Sequence, residues 1–265
     1  METQLVRMLV CLALLSLGAA PAASAMEAPV EPRPAVPASA SSRQEKTVLL
    51  LGDSLIVSSF GEYLEQLLNE HPEIRAVRRA KSSTGLARPD FYDWISAGHE
   101  EVERHHPDIV VVIMGGNDGQ GLTDVNGKAE VQWGKPGWAA AYRQRVESFL
   151  DIIAAPGRKI LWIELPITGR SGFERKLRVI RPLLRETVSA RQDAIHLDTK
   201  PFFVDAKGGL VREARVKGFR KPMRLRMSDG VHFTLAGGRY FATRVFPAVV
   251  DLLGPSPVVA SETQP

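Results

Sequence analysis

Residues 109–114 read Ile109-Val110-Val111-Val112-Ile113-Met114, a continuous apolar run that is β-branched at nearly every position. A strand of this kind has no polar face to offer to water. It belongs in the middle of a parallel sheet that is covered on both sides. The surrounding sequence supplies the other parts of such a fold. Residues 47–51 form a short apolar, β-capable run ending in Gly52-Asp53-Ser54, and residues 74–77 form a weaker one followed by the polar turn 81–85. Residues 159–165 and 194–197 complete five strand candidates. Between them, Phe60, Leu64, Leu67 and Leu68 recur at helical spacing, and residues 91–105, 138–153, 173–191 and 235–253 read as further helices. Strands alternating with helices of this length call for βαβ units, hence an α/β domain. In such sheets ligands sit beyond the carboxyl ends of the strands. Gly52-Asp53-Ser54, Gly85 and Gly115-Gly116-Asn117-Asp118 all fall on that edge.

The ends of the chain read differently. Arg7 precedes an apolar stretch, residues 8–17, and Ala23-Ser24-Ala25 offers the small-x-small pattern of a signal-peptidase site. The stretch is shorter than the roughly 20 residues a membrane-spanning helix needs. Residues 1–25 are therefore expected to be a cleaved signal, with an uncleaved anchor as the alternative, and the mature protein to be periplasmic or secreted. Cys11, the single cysteine, lies inside the stretch after Val10, where a lipoprotein would need a small residue. Its removal leaves no disulfide, thiol nucleophile or thiolate metal site. Residues 26–46, rich in Pro, Ala, Ser and Glu, read as a disordered linker, and 255–265 as a disordered tail. That leaves 47–254 as one domain, long enough to be stabilised by its own core.

The formal net charge of +4 is mildly basic. Its one dense cluster is Arg212, Arg215, Lys217, Arg220, Lys221, Arg224 and Arg226. In an exported chain this reads either as attraction to an anionic glycan or membrane surface, or as a solvated face; no nucleic-acid partner is expected. The histidines at 71, 99, 105, 106 and 196 lack metal-ligand spacing, and neither metal nor cofactor is expected.

A serine hydroxyl becomes a nucleophile when a base takes its proton and a third group orients the base. Ser54 stands at a strand-to-helix turn, where it could be such a nucleophile or merely a helix cap. Asp229-Gly230-Val231-His232 places an acid three residues before a histidine on the loop opening the last helix, so carboxylate and imidazole can meet. Asn117 follows two glycines and offers a side-chain amide to a developing oxyanion, or simply makes a turn. Gly85 and Ser54 could each add a backbone N–H.

Gly52-Asp53-Ser54-Leu55, Gly85, Gly115-Gly116-Asn117-Asp118 and Asp229-Gly230-Val231-His232 occur in the order of the four blocks of the SGNH/GDSL hydrolases, and residues 47–254 resemble that superfamily, in particular an exported bacterial branch. The resemblance implies a flavodoxin-like three-layer α/β/α sandwich with a mostly parallel five-stranded sheet. It implies a triad of Ser54, His232 and Asp229, and an oxyanion hole from Ser54, Gly85 and Asn117. The second block departs from the family: the turn reads Ala80-Lys81-Ser82-Ser83-Thr84-Gly85, without the usual Asn or similar residue before its glycine.

Substrate contacts are expected from Asp53, Arg88, Asp118 and Trp133. Trp133 and Trp138 lie in or beside a long glycine-rich insertion, residues 119–137, and either stack on sugars or anchor the loop. The expected activity is hydrolysis of small acyl esters, O-acetyl above all, on an envelope or extracellular glycan. The same residues could instead transfer the acyl group to a glycan. Beside the acyl ester or acylated glycan substrate, an envelope or membrane acyltransferase is a candidate partner. A non-catalytic glycan- or partner-binding protein is the alternative of another class.

Overall fold

The computed structural model describes residues 45–254. Its order is β1 (Lys46–Gly52), α1 (Ser54–Val57), α2 (Ser59–Asn69), β2 (Ile74–Ala80), α3 (Trp94–His105), β3 (Ile109–Ile113), β4 (Leu122–Thr123), β5 (Ala129–Val131) and α4 (Trp138–Ile153). There follow β6 (Lys159–Ile163), α5 (Ser171–Ser189), β7 (Ala194–Leu197), α6 (Lys200–Phe203), β8 (Glu213–Ala214), β9 (Met223–Arg224) and α7 (Leu235–Asp251). The proposed signal, nearly all of the linker and the tail lie outside the described residues. The domain begins one residue earlier than the sequence pattern indicates, because Lys46 already pairs with Ile74 and its ammonium meets Asp108 at 2.8 Å.

The main sheet has five strands in the order β2-β1-β3-β6-β7, all parallel, which is the flavodoxin-like arrangement. Helices α2 and α7 pack together, and α3, α4 and α5 pack in sequence, giving the expected three layers. Every residue of β3 is buried, as are Val48 to Leu51 of β1, so the centre of the sheet is the centre of the core. Two small antiparallel pairs, β4–β5 and β8–β9, are insertions outside the sheet.

Register sets up the site. Gly52 at the end of β1 lies opposite Ala80 of β2 and Ile113 of β3. Three strands therefore stop at one level, and the chain beyond each of them, Asp53-Ser54, Lys81 to Thr84 and Gly115 to Asn117, emerges at one edge. Helix boundaries differ from the sequence pattern by a few residues where a cap decides. Helix α3 starts at Trp94 rather than Phe91 because the Asp93 carboxylate accepts the N–H groups of Ile95 and Ser96, satisfying donors that a new helix leaves free.

Candidate active site

The nucleophile candidate is positioned by its neighbour. Asp53 caps the short helix α1 by accepting the Leu55 N–H at 3.0 Å, which leaves Ser54 as the first helical residue. The Ser54 N–H has no acceptor among the described residues, as expected for a first-turn donor. Asp53 itself is 2% exposed and forms the cavity floor. Burial pushes its carboxyl up to about 7, with nearby Asp118 adding to the rise, against the Leu55 N–H and His232, which lower it.

The partner loop lies between β9 and α7. A backbone bridge joins Arg226 to Phe233, and the Met227 N–H donates to the His232 carbonyl at 2.8 Å, closing the loop. Inside it, Asp229 Oδ1 accepts the N–H groups of Val231 and His232 at 2.8 and 3.0 Å. Its other oxygen, Oδ2, meets His232 Nδ1 at 2.7 Å, and His232 Nε2 stands 2.9 Å from Ser54 Oγ. Burial tends to raise the Asp229 carboxyl, but the imidazole and the two N–H donors together outweigh it and hold the group near 2. Ser54 is thus in contact with a base whose far nitrogen faces a fixed carboxylate. Thr234 accepts the Gly237 N–H and caps α7, so the loop ends on a firm support.

Asn117 borders the same cavity, as do Ser82, Ser83 and Gly116. One amide proton of Asn117 goes to the Thr84 carbonyl at 2.9 Å, and the second remains for another acceptor. Gly85 does not border the cavity. Its glycine character has a packing reason: a Cβ there would stand 2.0 Å from the Asp118 carboxylate. The second block reaches the cavity through Ser82 and Ser83, and Ser83 is held at φ 64, a left-handed conformation uncommon for a residue with a side chain. Its N–H has no acceptor among the described residues. The sequence signal for this was the departure at residues 80–85, where serine occupies the tight position and glycine the crowded one.

The expected substrate contacts are mostly redistributed. Asp118 is fully buried and accepts the N–H groups of Leu86 and Ala87 and the Tyr142 hydroxyl, so it braces the turn instead of facing the cavity. Arg88 is paired with Asp90 at 2.6 Å and does not line the cavity. Trp133 packs edge-on against Trp138, which stacks on Tyr142, and neither tryptophan lines the cavity. These aromatics anchor the insertion.

Sequence reasoning missed the loop after β6. Leu165, Pro166, Thr168 and Arg170 wall the cavity, with Phe173 and Leu177 of α5. Arg181 holds this loop by donating to the Leu165 and Pro166 carbonyls at 2.6 and 3.0 Å while paired with Glu174, and Glu174 accepts the Thr168 N–H. Its place at the carboxyl end of a central strand was the available signal. Arg226, counted in the basic cluster, is 7% exposed: it donates to the Val231 and Ile167 carbonyls and lies over the Phe233 ring at 3.8 Å. It therefore joins the β6 loop to the Asp229–His232 loop. Burial, reinforced by Arg181, lowers its guanidinium to about 9. The cavity measures about 350 Å³, room for a small acyl group. Among the described residues, no helix is long and apolar enough to cross a membrane.

A family model described as "Protein of unknown function (DUF459)" matches residues 47–248. The curated proteins compared contain no match. Among solved structures, the psychrotrophic esterase EstA from Pseudoalteromonas sp., inhibited by monoethylphosphonate, is 12% identical with a TM-score of 0.54, over 80% of this chain and 100% of that one. A variant of Axe2, an acetyl xylan esterase from Geobacillus stearothermophilus, is 17% identical with a TM-score of 0.54, over 80% and 95% of the two chains. TesA is 19% identical with a TM-score of 0.51, over 78% and 99%. At these identities the likeness is one of fold, and the fold is that of the SGNH/GDSL hydrolases.

Proposed function

Since the chain belongs to the DUF459 family and has the SGNH hydrolase fold, we propose that it is a serine esterase that removes small acyl groups, acetyl foremost, from a glycan outside the cytoplasm. The observation that carries this reading is the contact series Asp229 Oδ2, His232 Nδ1, His232 Nε2 and Ser54 Oγ, with its two contacts of 2.7 and 2.9 Å, opening on a cavity beside Asn117. The export part of the proposal rests on the sequence of residues 1–25 alone.

In the proposed mechanism Ser54 Oγ attacks the ester carbonyl carbon while its proton passes to His232 Nε2. The Asp229 carboxylate keeps the imidazole in the required tautomer and stabilises the imidazolium. The carbonyl oxygen takes up negative charge and is met by the Ser54 N–H, the Ser83 N–H and the free Asn117 amide proton; Ser83 takes the place first given to Gly85. Fixed donors of this kind need no reorganisation as charge develops. Collapse breaks the ester bond, the alcohol leaves with the proton from Nε2, and the acyl group stays on Ser54. Water, deprotonated by His232, then attacks the acyl carbon and restores the enzyme. Leu165, Phe173 and Leu177 offer the acyl chain an apolar wall, and the cavity volume favours a short one.

Labelling with a phosphonate, the inhibitor class named for the EstA structure, followed by an ester panel including acetylated xylan, tests the proposal. The expected result is covalent modification at Ser54 and release of acetate. Absence of both overturns it. Acetyl transfer to an added glycan at the expense of hydrolysis would redefine the enzyme as a transferase using the same residues.

A further inference from the structure

Beside the catalytic cavity lies a second one of about 670 Å³, and the two share Arg170, Arg226 and Asp229. Its walls come from three separate segments. The β6 loop supplies Gly169 and Arg170, the β8–β9 hairpin supplies Arg212, Glu213 and Arg224, and the triad loop supplies Met227 to Gly230. Backbone bonds hold these segments together: the Gly169 N–H donates to the Gly230 carbonyl at 3.1 Å, and the Leu225 N–H to the Arg212 carbonyl at 2.9 Å. The cavity is therefore part of the same framework that positions His232.

Its electrostatics are unusual for this protein. Elsewhere the arginines around the fold are mostly paired, as in Arg78–Glu65, Arg145–Glu130, Arg185–Glu164 and Arg191–Asp193. Among the described residues, the guanidiniums of Arg170, Arg212 and Arg224 have no carboxylate within ion-pair distance and no hydrogen-bond acceptor. Glu213 lies across the hairpin from Arg224 without forming an ion pair, and Asp229 is engaged with His232. Buried Arg226, whose Nε has no partner, forms the wall between the two cavities. Like charges gathered around one concavity repel each other until an anion enters, and guanidinium forks match carboxylate or phosphate oxygens in pairs. The rest of the basic cluster behaves differently: Arg215, Lys217, Arg220 and Lys221 do not line the cavity, and the Lys217 carbonyl is held by Arg239 near the hairpin tip.

We propose that this cavity is an anion subsite, in which Arg170, Arg212 and Arg224 bind a carboxylate or phosphate carried by the saccharide whose ester reaches Ser54. The inference rests on the esterase reading, which it narrows to esters of acidic saccharides. The basic cluster is thereby divided into a recognition part and a solvated part.

A binding measurement separates the two ideas, because it requires no turnover. Ser54→Ala protein is titrated with de-esterified oligogalacturonate and, separately, with glucose 6-phosphate, at low and high salt. Saturable, salt-sensitive binding of at least one probe is expected, weakened by roughly tenfold or more in Arg212→Gln/Arg224→Gln. Lys217→Gln/Arg220→Gln, at the hairpin tip, is expected to leave it within about twofold. Arg224→Gln alone, at the exposed residue of β9, should move in the same direction and guards against a misfolded double variant. No binding of either probe, or equal weakening in both double variants, overturns the subsite. If the wild type releases acetate from xylan but the probes do not bind, the subsite falls and the esterase stands. If arginine-dependent binding occurs without hydrolysis of any ester, the subsite stands and the esterase falls.

Discussion

The side-chain amide of Asn117 donates to the Thr84 carbonyl at 2.9 Å, tying the loop after β3 to the loop after β2. The bond uses one amide proton and leaves the second for an acceptor in the cavity that Asn117 and Ser54 both line. Asn117→Ala should lower kcat by about 10²–10³ with little change in KM, because the lost donor matters most once charge has developed. It should also lower Tm by a few degrees, since a net hydrogen bond worth about 1 kcal/mol is lost. Steady-state kinetics on a nitrophenyl ester and a melting curve read both. A steep rise in KM at unchanged kcat would make Asn117 a ground-state contact instead.

Ser54→Ala and His232→Ala should each reduce kcat by roughly 10⁶, and the double variant should lose little more, because the two act as a unit. Asp229→Asn should cost about 10⁴, since an amide presents the wrong partner to Nδ1. Far-ultraviolet circular dichroism should be unchanged in all of them. Near-native turnover in any of the single variants would remove the triad assignment.

The two residues of the second block should respond in opposite ways. Ser83 at φ 64 tolerates glycine, so Ser83→Gly should keep activity and stabilise the fold by about 1 kcal/mol or less. Ser83→Val forces a β-branched residue into that conformation and should lower kcat through displacement of the N–H. Gly85→Ala should instead destabilise the protein, because its Cβ falls on the Asp118 carboxylate. Chemical denaturation and kinetics distinguish these outcomes, and a purely kinetic defect in Gly85→Ala would return that residue to the oxyanion hole.

Stability should decrease with pH across the range set by Asp53. Its carboxyl titrates near 7 in the fold and near 3.8 as its ordinary value. Between those values the folded chain retains a proton that the unfolded chain has released, so raising the pH favours unfolding, by an amount on the order of a few kcal/mol. Asp118, also raised by burial, acts with the same sign. Asp53→Asn should flatten the dependence between about pH 4 and 7 while its side-chain oxygen still accepts the Leu55 N–H. A profile equally steep in the variant would exclude Asp53 as its source.

Much of this molecule was readable before any tertiary contact was known. The β-branched run at 109–113 became the central strand, and residues 138–153 became α4 without adjustment. The placement of Ser54, Gly85 and Asn117 at one sheet edge followed from the strand ends, and the resemblance of the motifs added the Asp229–His232 pair to them. These features depend on residues close in sequence: steric preference, apolar period and turn chemistry operate over a few positions.

Which polar groups face the cavity was decided elsewhere. Asp118 turned inward because Tyr142, on the next helix, and the Leu86 and Ala87 N–H groups enclose it, and that carboxylate forced glycine at 85 and left Ser83 at the cavity. Arg226 left the solvated cluster because two carbonyls and two phenylalanine rings surround it, while Arg170, far from Arg212 in sequence, came to share a wall with it. Sequence alone determined the alternation of elements and the identity of the reactive side chains. The tertiary structure alone determined their company, because contacts between residues tens to hundreds of positions apart depend on strand register and on how each loop closes over the sheet edge, and no local rule encodes either.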